Sequence, residues 1–419
     1  MRRPLAAAAA AVVLVAAACS RGGDKDETEG KSVSGTIRVQ VSGGESEIAS
    51  FKKLASAFQK GHPGTKVSIV AVADQGDHIA KLATAFAGRN PPDVFLINYR
   101  RYGQFAERGV IEPIGDHLGS LDVDDFYDAA IDAFMHKGKL RCLPQNASSV
   151  VVYVNTKLFA EAGVAVPKAG WTVTELSKTV DALAAKGVKD AIGFEPSLRT
   201  LVPFVWSAGG EVVDDNAKPT RIGLGSAPAR GALELLMALQ DKGVDATDRA
   251  AADAEERFGR GEVAMFLDSR RAVPGLRKAK VPFDVVPLPV AREPATLLAS
   301  DAYCVTKAGK NKDLAFAFAR YAVGPDGGKV LAASGRTVPS LKSLAGSPAF
   351  LDPARAPKSA KVWLDVLPSA RRLPDIAAWH EAEEVASNIL EQAFARKISV
   401  DQAIERIEAD TARVFAQKR

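Results

Sequence analysis

The chain has 419 residues, with 55 Lys+Arg against 50 Asp+Glu, 47% hydrophobic and 25% charged side chains. At about 100–200 residues per domain, that length predicts two or three packed units and excludes a small disulfide-stapled scaffold. The ordinary apolar fraction excludes bulk disorder, and no apolar run reaches the ~18 residues of a spanning helix.

The first element in chain order is an export segment. Arg2 and Arg3 precede the longest apolar run, Pro4 to Cys19, which ends in Ala16-Ala17-Ala18-Cys19. It resembles a bacterial lipoprotein signal, in which a peptidase cuts before a cysteine whose thiol carries lipid. The resemblance implies that residues 1–18 are a signal peptide and Cys19 the lipidated residue. The mature protein is then held on the outer face of the cytoplasmic membrane; ordinary secretory cleavage nearby is the alternative. Removing residues 1–18 leaves 53 positive against 50 negative charges, too balanced for a nucleic-acid partner. Residues 19–35, rich in Gly, Ser, Asp, Glu and Lys, read as a flexible tether with an end-to-end distance of about 22 Å. With Cys19 lipidated, Cys142 and Cys304 remain in an oxidising setting, which predicts a disulfide between them rather than two buried free thiols.

In the body, Thr36 to Val41 alternates like a half-buried strand. Ile48, Phe51, Leu54, Ala55 and Phe58 then recur at helical spacing until Gly61 and Pro63. Lys66 to Val72 reads as a second strand, Ile79 to Phe86 as a second helix ended by Gly88, and Asp93 to Ile97 as a short apolar strand. This βαβαβ order predicts a parallel sheet in an α/β protein. Ligands of such sheets sit where strand C-termini open into loops, which nominates Gly43, Gly44 and Glu45, then Gln75, then Asn98, Tyr99, Arg100 and Arg101. Further on, Thr172-Val173-Thr174-Glu175 is a capping box, and helices are predicted around Leu233–Met237, Leu314–Tyr321 and Ile404–Val414.

No catalytic signature emerges. The five histidines are scattered without metal spacing, and no nucleophile elbow, P-loop or dinucleotide fingerprint occurs, so neither metal nor cofactor is expected. The adjacent acids Glu255-Glu256 and Glu383-Glu384 read as solvated helix surface, since neighbours on a helix do not share a face.

Gln145 to Phe159, Q-N-A-S-S-V-V-V-Y-V-N-T-K-L-F, with Gly163-Val164 and the helix start at Trp171, resembles the extracellular solute-binding proteins of sugar ABC importers. The likeness continues through Pro91 to Val94, Trp206 to Glu211, Phe258 to Phe266, Ser300 to Tyr303 and Gly335 to Pro339. It implies a two-lobe, periplasmic-binding-protein-like (type II) α/β fold with a hinge and an interlobe cleft. The implied lobes are 36–145 plus 268–306, and 146–267 plus 307–419, with crossings near Leu143–Asn146, Leu267–Arg271 and Thr306–Lys310. The implied function is hinge-closing capture of a saccharide by a monomer that delivers it to the permease.

The resemblance adds Gln145, Asn146, Gly209, Gly210, Glu211, Asp268, Arg270, Arg271, Asp301 and Arg336 as ligand-binding positions. Where the family places an aromatic after a Glu-Pro pair, this chain has Glu195-Pro196-Ser197, which turns attention to Trp206 and Trp379 as stacking surfaces. The pairs Arg100-Arg101, Arg270-Arg271 and Arg371-Arg372 raise an acidic saccharide as the guest, against structural pairing with Asp268, Asp301 or Glu45. The rival functions are a carbohydrate-cleaving lipoprotein using Asp268 with Asp301 or Glu45, and the same fold holding a non-sugar solute.

Overall fold

The computed structural model describes residues 33–243 and 254–417; the signal segment, Cys19 and nearly all of the tether lie outside the described residues. Among the described residues no helix is long and apolar enough to cross a membrane, and no group of three His, Cys, Asp or Glu side chains is placed to hold a metal.

The chain begins β1 (Gly35–Ser42), α1 (Glu45–Gly61), β2 (Thr65–Val72), α2 (Gln75–Ala87), β3 (Val94–Asn98) and α3 (Tyr99–Glu107). Ile37, Val39 and Val41 alternate into the core and meet the Phe51, Leu54, Ala55 and Phe58 stripe of α1. After β4 (Cys142–Pro144) the chain crosses through β5 (Ser148–Ser149) to β6 (Val151–Asn155), the helix α4 (Val173–Ala185), β7 (Asp190–Gly193) and α5 (Leu198–Ser207). Then come α6 (Ala227–Gly243), β8 (Val263–Asp268), α7 (Val273–Ala279), β9 (Phe283–Val286), β10 (Thr296–Ala299) and β11 (Asp301–Val305). The helices α8 (Lys312–Val323) and α9 (Pro325–Ser334), the short β12 (Ala370–Arg371), α10 (Trp379–Phe394) and α11 (Val400–Gln417) complete the body.

These strands form two main sheets. The first lobe has the order β2-β1-β3-β11-β4, parallel from β2 to β3 and antiparallel at β11 and β4. The second has β9-β6-β8-β7. Strand β6 explains its own sequence: Val152 and Val154 face one core, Val151 and Tyr153 the other, so Val-Val-Tyr-Val is apolar without interruption. A three-stranded ribbon, β12-β10-β5, joins the lobes. The Cys142–Cys304 disulfide is formed, tying directly opposed residues of β4 and β11 within the first sheet.

The capping box is also formed: Thr172 Oγ1 accepts from Glu175 N (3.2 Å) and Glu175 Oε2 accepts from Thr172 N (2.7 Å). Thr172→Ala will therefore cost about 1 kcal/mol. A lowered urea midpoint with unchanged m-value checks this.

The implied lobe boundaries need correction. Residues 268–295, expected in the first lobe, stay with the second, because β9 pairs with β6 and α7 buries Val273 and Leu276 against Tyr153 and Phe266. Residues 312–344, expected in the second lobe, belong to the first: Leu314, Phe318, Leu331 and Leu344 share a core with Ile37 and Val39. The second crossing is therefore β10, around residues 296–300, rather than Leu267–Arg271 or Thr306–Lys310.

Candidate functional site

The C-terminal ends of β1 and β3 open toward the crossing strands, and a cavity of about 420 Å³ lies there between the lobes. Its first-lobe wall is built from Gly43, Gly44 and Glu47 at the start of α1, Gln75 on α2, Asn98 and Arg100 at the start of α3, Asp301 and Arg336. The second lobe contributes Arg199, Glu255, Ser269, Arg271 and, from α7, Pro274 and Gly275. Val150, Leu297, Leu298 and Ala299 of the crossing region form an apolar floor. A hollow of about 170 Å³ adjoins it, sharing Val150, Arg199, Glu255 and Arg271 and adding Phe266 and Asp268.

Asp301 is the hub of the first-lobe wall. Its Oδ1 accepts from Asn98 Nδ2 (3.0 Å), its Oδ2 accepts from Asn146 Nδ2 (3.3 Å), and its backbone N donates to Asn146 Oδ1 (2.7 Å). Arg336 contacts Glu47 in an ion pair and stands 3.9 Å from Asp301. Across the cavity, Arg271 pairs with Glu255 (2.8 Å) and Asp268 (2.5 Å). Arg100 is fixed by Asn98 Oδ1, which accepts from its Nε, and by an ion pair with Glu383. The wall is thus a set of neutralised carboxylate–guanidinium pairs and amides, rigid and rich in directed donors and acceptors.

Burial pushes the Glu47 carboxyl above the ordinary glutamate range; Arg336 pulls it back only in part, and Asp301 opposes ionisation. An acid raised in the folded state stabilises the fold below its unfolded pKa and loses that contribution as pH rises through its folded value. The stability of Glu47→Gln will therefore gain on the wild type as pH rises from about 4 to 7. Urea midpoints across that range measure the difference; parallel profiles would contradict it.

The family model of the bacterial extracellular solute-binding proteins matches residues 42–329. The chain belongs to that family. It is 24% identical to the galactooligosaccharide-binding protein of Bacillus subtilis over 406 residues, covering 91% of each chain. It is 25% identical to the diacetylchitobiose binding protein of Streptomyces coelicolor over 369 residues, 82% of this chain and 83% of that one. In fold it is similar to an ABC substrate-binding protein of Listeria monocytogenes solved in complex with cycloalternan. That match has a TM-score of 0.83 at 22% identity, covering 91% of this chain and 99% of the other.

In this solute-binding protein the cavity brings together Gly43, Gly44, Gln75, Asn98, Arg100, Asn146, Arg271, Asp301 and Arg336 from the sequence expectations. The others lie elsewhere. Glu45 points to solvent near Lys278 (3.6 Å), and Gln145 lies behind the floor, donating to the Tyr303 hydroxyl (3.0 Å). Tyr99 is buried with its hydroxyl accepting from Leu373 N (3.1 Å). Arg270 turns away into the second lobe, its guanidinium 4.3 Å from the Phe350 ring centre and 4.7 Å from that of Trp363; burial drops its pKa to about 9.

Neither tryptophan reaches the cavity. Trp379 is fully buried, stacked on Phe415 and donating to Glu383 Oε2 (3.0 Å). Trp206 is buried under the Arg371 guanidinium, which Glu211 holds with both carboxylate oxygens (2.6 and 2.7 Å). Gly209 and Gly210 make the turn after α5, where Gly209 adopts φ +80°. The large apolar indoles fill the second-lobe core, and the aromatic beside the cleft is Phe266.

Three charged lining residues went unrecognised in the sequence. Glu47 looks like an ordinary dipole-complementing acid in a first helical turn. Arg199 lies just past the Glu195-Pro196-Ser197 departure, the one local signal that could have found it. Glu255, read as solvated surface, lines the cavity, and Glu383 is likewise enclosed by Arg100 and Trp379. Of the acids in the cleaving reading, Glu45 faces solvent, Asp268 pairs with Arg271, and Asp301 accepts from Asn98 and Asn146.

Proposed function

We propose that the protein is the extracytoplasmic receptor of an ABC importer, capturing a saccharide between its lobes and handing it unchanged to the permease. One observation carries this reading: a polar wall of preset amides and ion pairs, contributed by both lobes, over a narrow apolar floor. Sugar hydroxyls need directed donors and acceptors, and a guest lacking one leaves a buried group unpaired at about 1–3 kcal/mol. Contacts to both lobes at once exist only when the lobes are together, so binding shifts an open–closed equilibrium that a permease can read. The relatives, a galactooligosaccharide-binding protein and a diacetylchitobiose binding protein, support the ligand class. Phe266 is the apolar face offered to the ring C–H bonds. The sequence at Cys19 supports lipid anchoring of the monomer to the outer face of the cytoplasmic membrane.

A thermal-shift screen against a saccharide panel tests the reading. A rise in melting temperature with at least one saccharide, recovered intact afterwards, is the expected result. Stabilisation by peptides or polyamines alone, or recovery of a hydrolysed sugar, would overturn it.

Most arginines that suggested an acidic guest are already neutralised. Glu255 and Asp268 hold Arg271, Glu211 holds Arg371, Asp375 stands 3.7 Å from Arg372, and aromatic rings enclose Arg270. Arg100 is held by Glu383, and Arg101, beside the same Glu383 and Glu384, does not line the cavity.

A further inference from the structure

Seven charged side chains line the cavity: Glu47, Arg100, Arg199, Glu255, Arg271, Asp301 and Arg336. Each of the three carboxylates has an arginine of the same wall beside it, Glu47 and Asp301 with Arg336 and Glu255 with Arg271. Arg100 and Arg271 draw further on Glu383 and Asp268 from outside the cavity. Arg199 is the lining cation left without an ion pair among the described residues.

Its placement adds to that imbalance. Arg199 occupies the first turn of α5, where the helix dipole is positive, and it lines both the main cavity and the adjoining hollow. The Ser197 hydroxyl at the same helix start is buried with no hydrogen-bond partner. Arg101, in the first turn of α3 on the other lobe, has its Nη1 buried and also without a partner. Burial and the charge of Arg100 hold the Arg101 guanidinium below its ordinary pKa; Glu383 and Glu384 pull it back in part, and Arg199 adds a smaller push downward. Arg199 and Arg101 thus repel each other, a repulsion that Glu383 and Glu384 offset on the Arg101 side and that a negative group beside Arg199 would relieve further.

We propose that the guest is a saccharide carrying a carboxylate, and that Arg199 receives it. This rests on the saccharide reading above and narrows it. A guanidinium presents a planar fork that matches a carboxylate bidentately, and a charge-assisted pair inside a closed cleft is stronger than a neutral hydrogen bond. A neutral sugar offers Arg199 only hydroxyls and leaves the repulsion between lobes in place. Electrostatic relief would thus be part of the closing signal.

Titration calorimetry on matched disaccharides, galactobiose with digalacturonate and cellobiose with cellobiouronate, tests the proposal in the wild type, Arg199→Gln and Arg199→Lys. At least one uronate will bind ten or more times tighter than its neutral partner, roughly the gain of one charge-assisted pair. That ratio will collapse toward unity in Arg199→Gln, survive largely in Arg199→Lys, and shrink as salt is raised. Neutral disaccharides binding as well as the uronates, or a preference unchanged in Arg199→Gln, would overturn the carboxylate assignment while leaving a saccharide receptor intact. Binding of no disaccharide in either arm would overturn both readings.

Discussion

Arg336→Met will melt at a distinctly lower temperature than the wild type and will lose the cleft ligand by about a hundredfold or more. Arg336 is the cation that two enclosed carboxylates share, with Glu47 and Asp301 retaining 10% and 16% of their side-chain exposure. Removing one partner of a buried pair strands the remaining charge, at about 3–5 kcal/mol. Asp301 also fixes Asn98 and Asn146, so a displaced carboxylate disturbs three lining groups together. A second substitution separates the two effects. Glu47→Gln/Arg336→Met removes one stranded charge and will recover much of the lost stability without recovering binding. Differential scanning calorimetry and ligand titration on both variants measure this; wild-type affinity in the single variant would show that the wall is not the binding surface.

Cys142→Ala/Cys304→Ala will lose about 2–5 kcal/mol of stability. The bridge closes a loop with a sequence separation of 162 residues, and chain-entropy reasoning puts the upper end near 5 kcal/mol for so long a loop. Both cysteines are fully buried beside Phe95, Ile97 and Leu298, so the alanines also leave unfilled core volume. The bridge lies wholly within the first-lobe sheet, three positions before Gln145 in the chain, and it does not join the lobes. Affinity of the folded double variant should therefore fall far less than its stability. Urea unfolding with and without reductant checks both points; a midpoint unmoved by reductant would contradict the stabilising role.

The order β1-α1-β2-α2-β3 was readable because each element satisfies a local rule. Ile37, Val39 and Val41 keep period two, Phe51, Leu54 and Phe58 keep helical spacing, and Gly88 ends α2. The loops at those strand ends supplied Gly43, Gly44, Gln75, Asn98 and Arg100 by the same logic. The lobe boundaries were not readable, because whether residues 268–295 return to the first lobe depends on β9 pairing with β6, a long-range choice without a local signature. Glu47, Arg199 and Glu255 escaped for a related reason. Their roles come from partners distant in sequence, and a lone acid in a first helical turn carries the same signal whether it faces water or Arg336. Trp206 and Trp379 show the converse error, since a large flat side chain suits a sugar face and a protein core equally well.

In the proposed function, two lobes joined by the β5–β10–β12 ribbon close on a guest held between Asp301 and Arg271. Small-angle X-ray scattering, with and without a saccharide shown by calorimetry to bind, addresses it most directly. A smaller radius of gyration and a shortened maximum dimension are the expected result in the bound state. Superimposable curves at saturating ligand would contradict it.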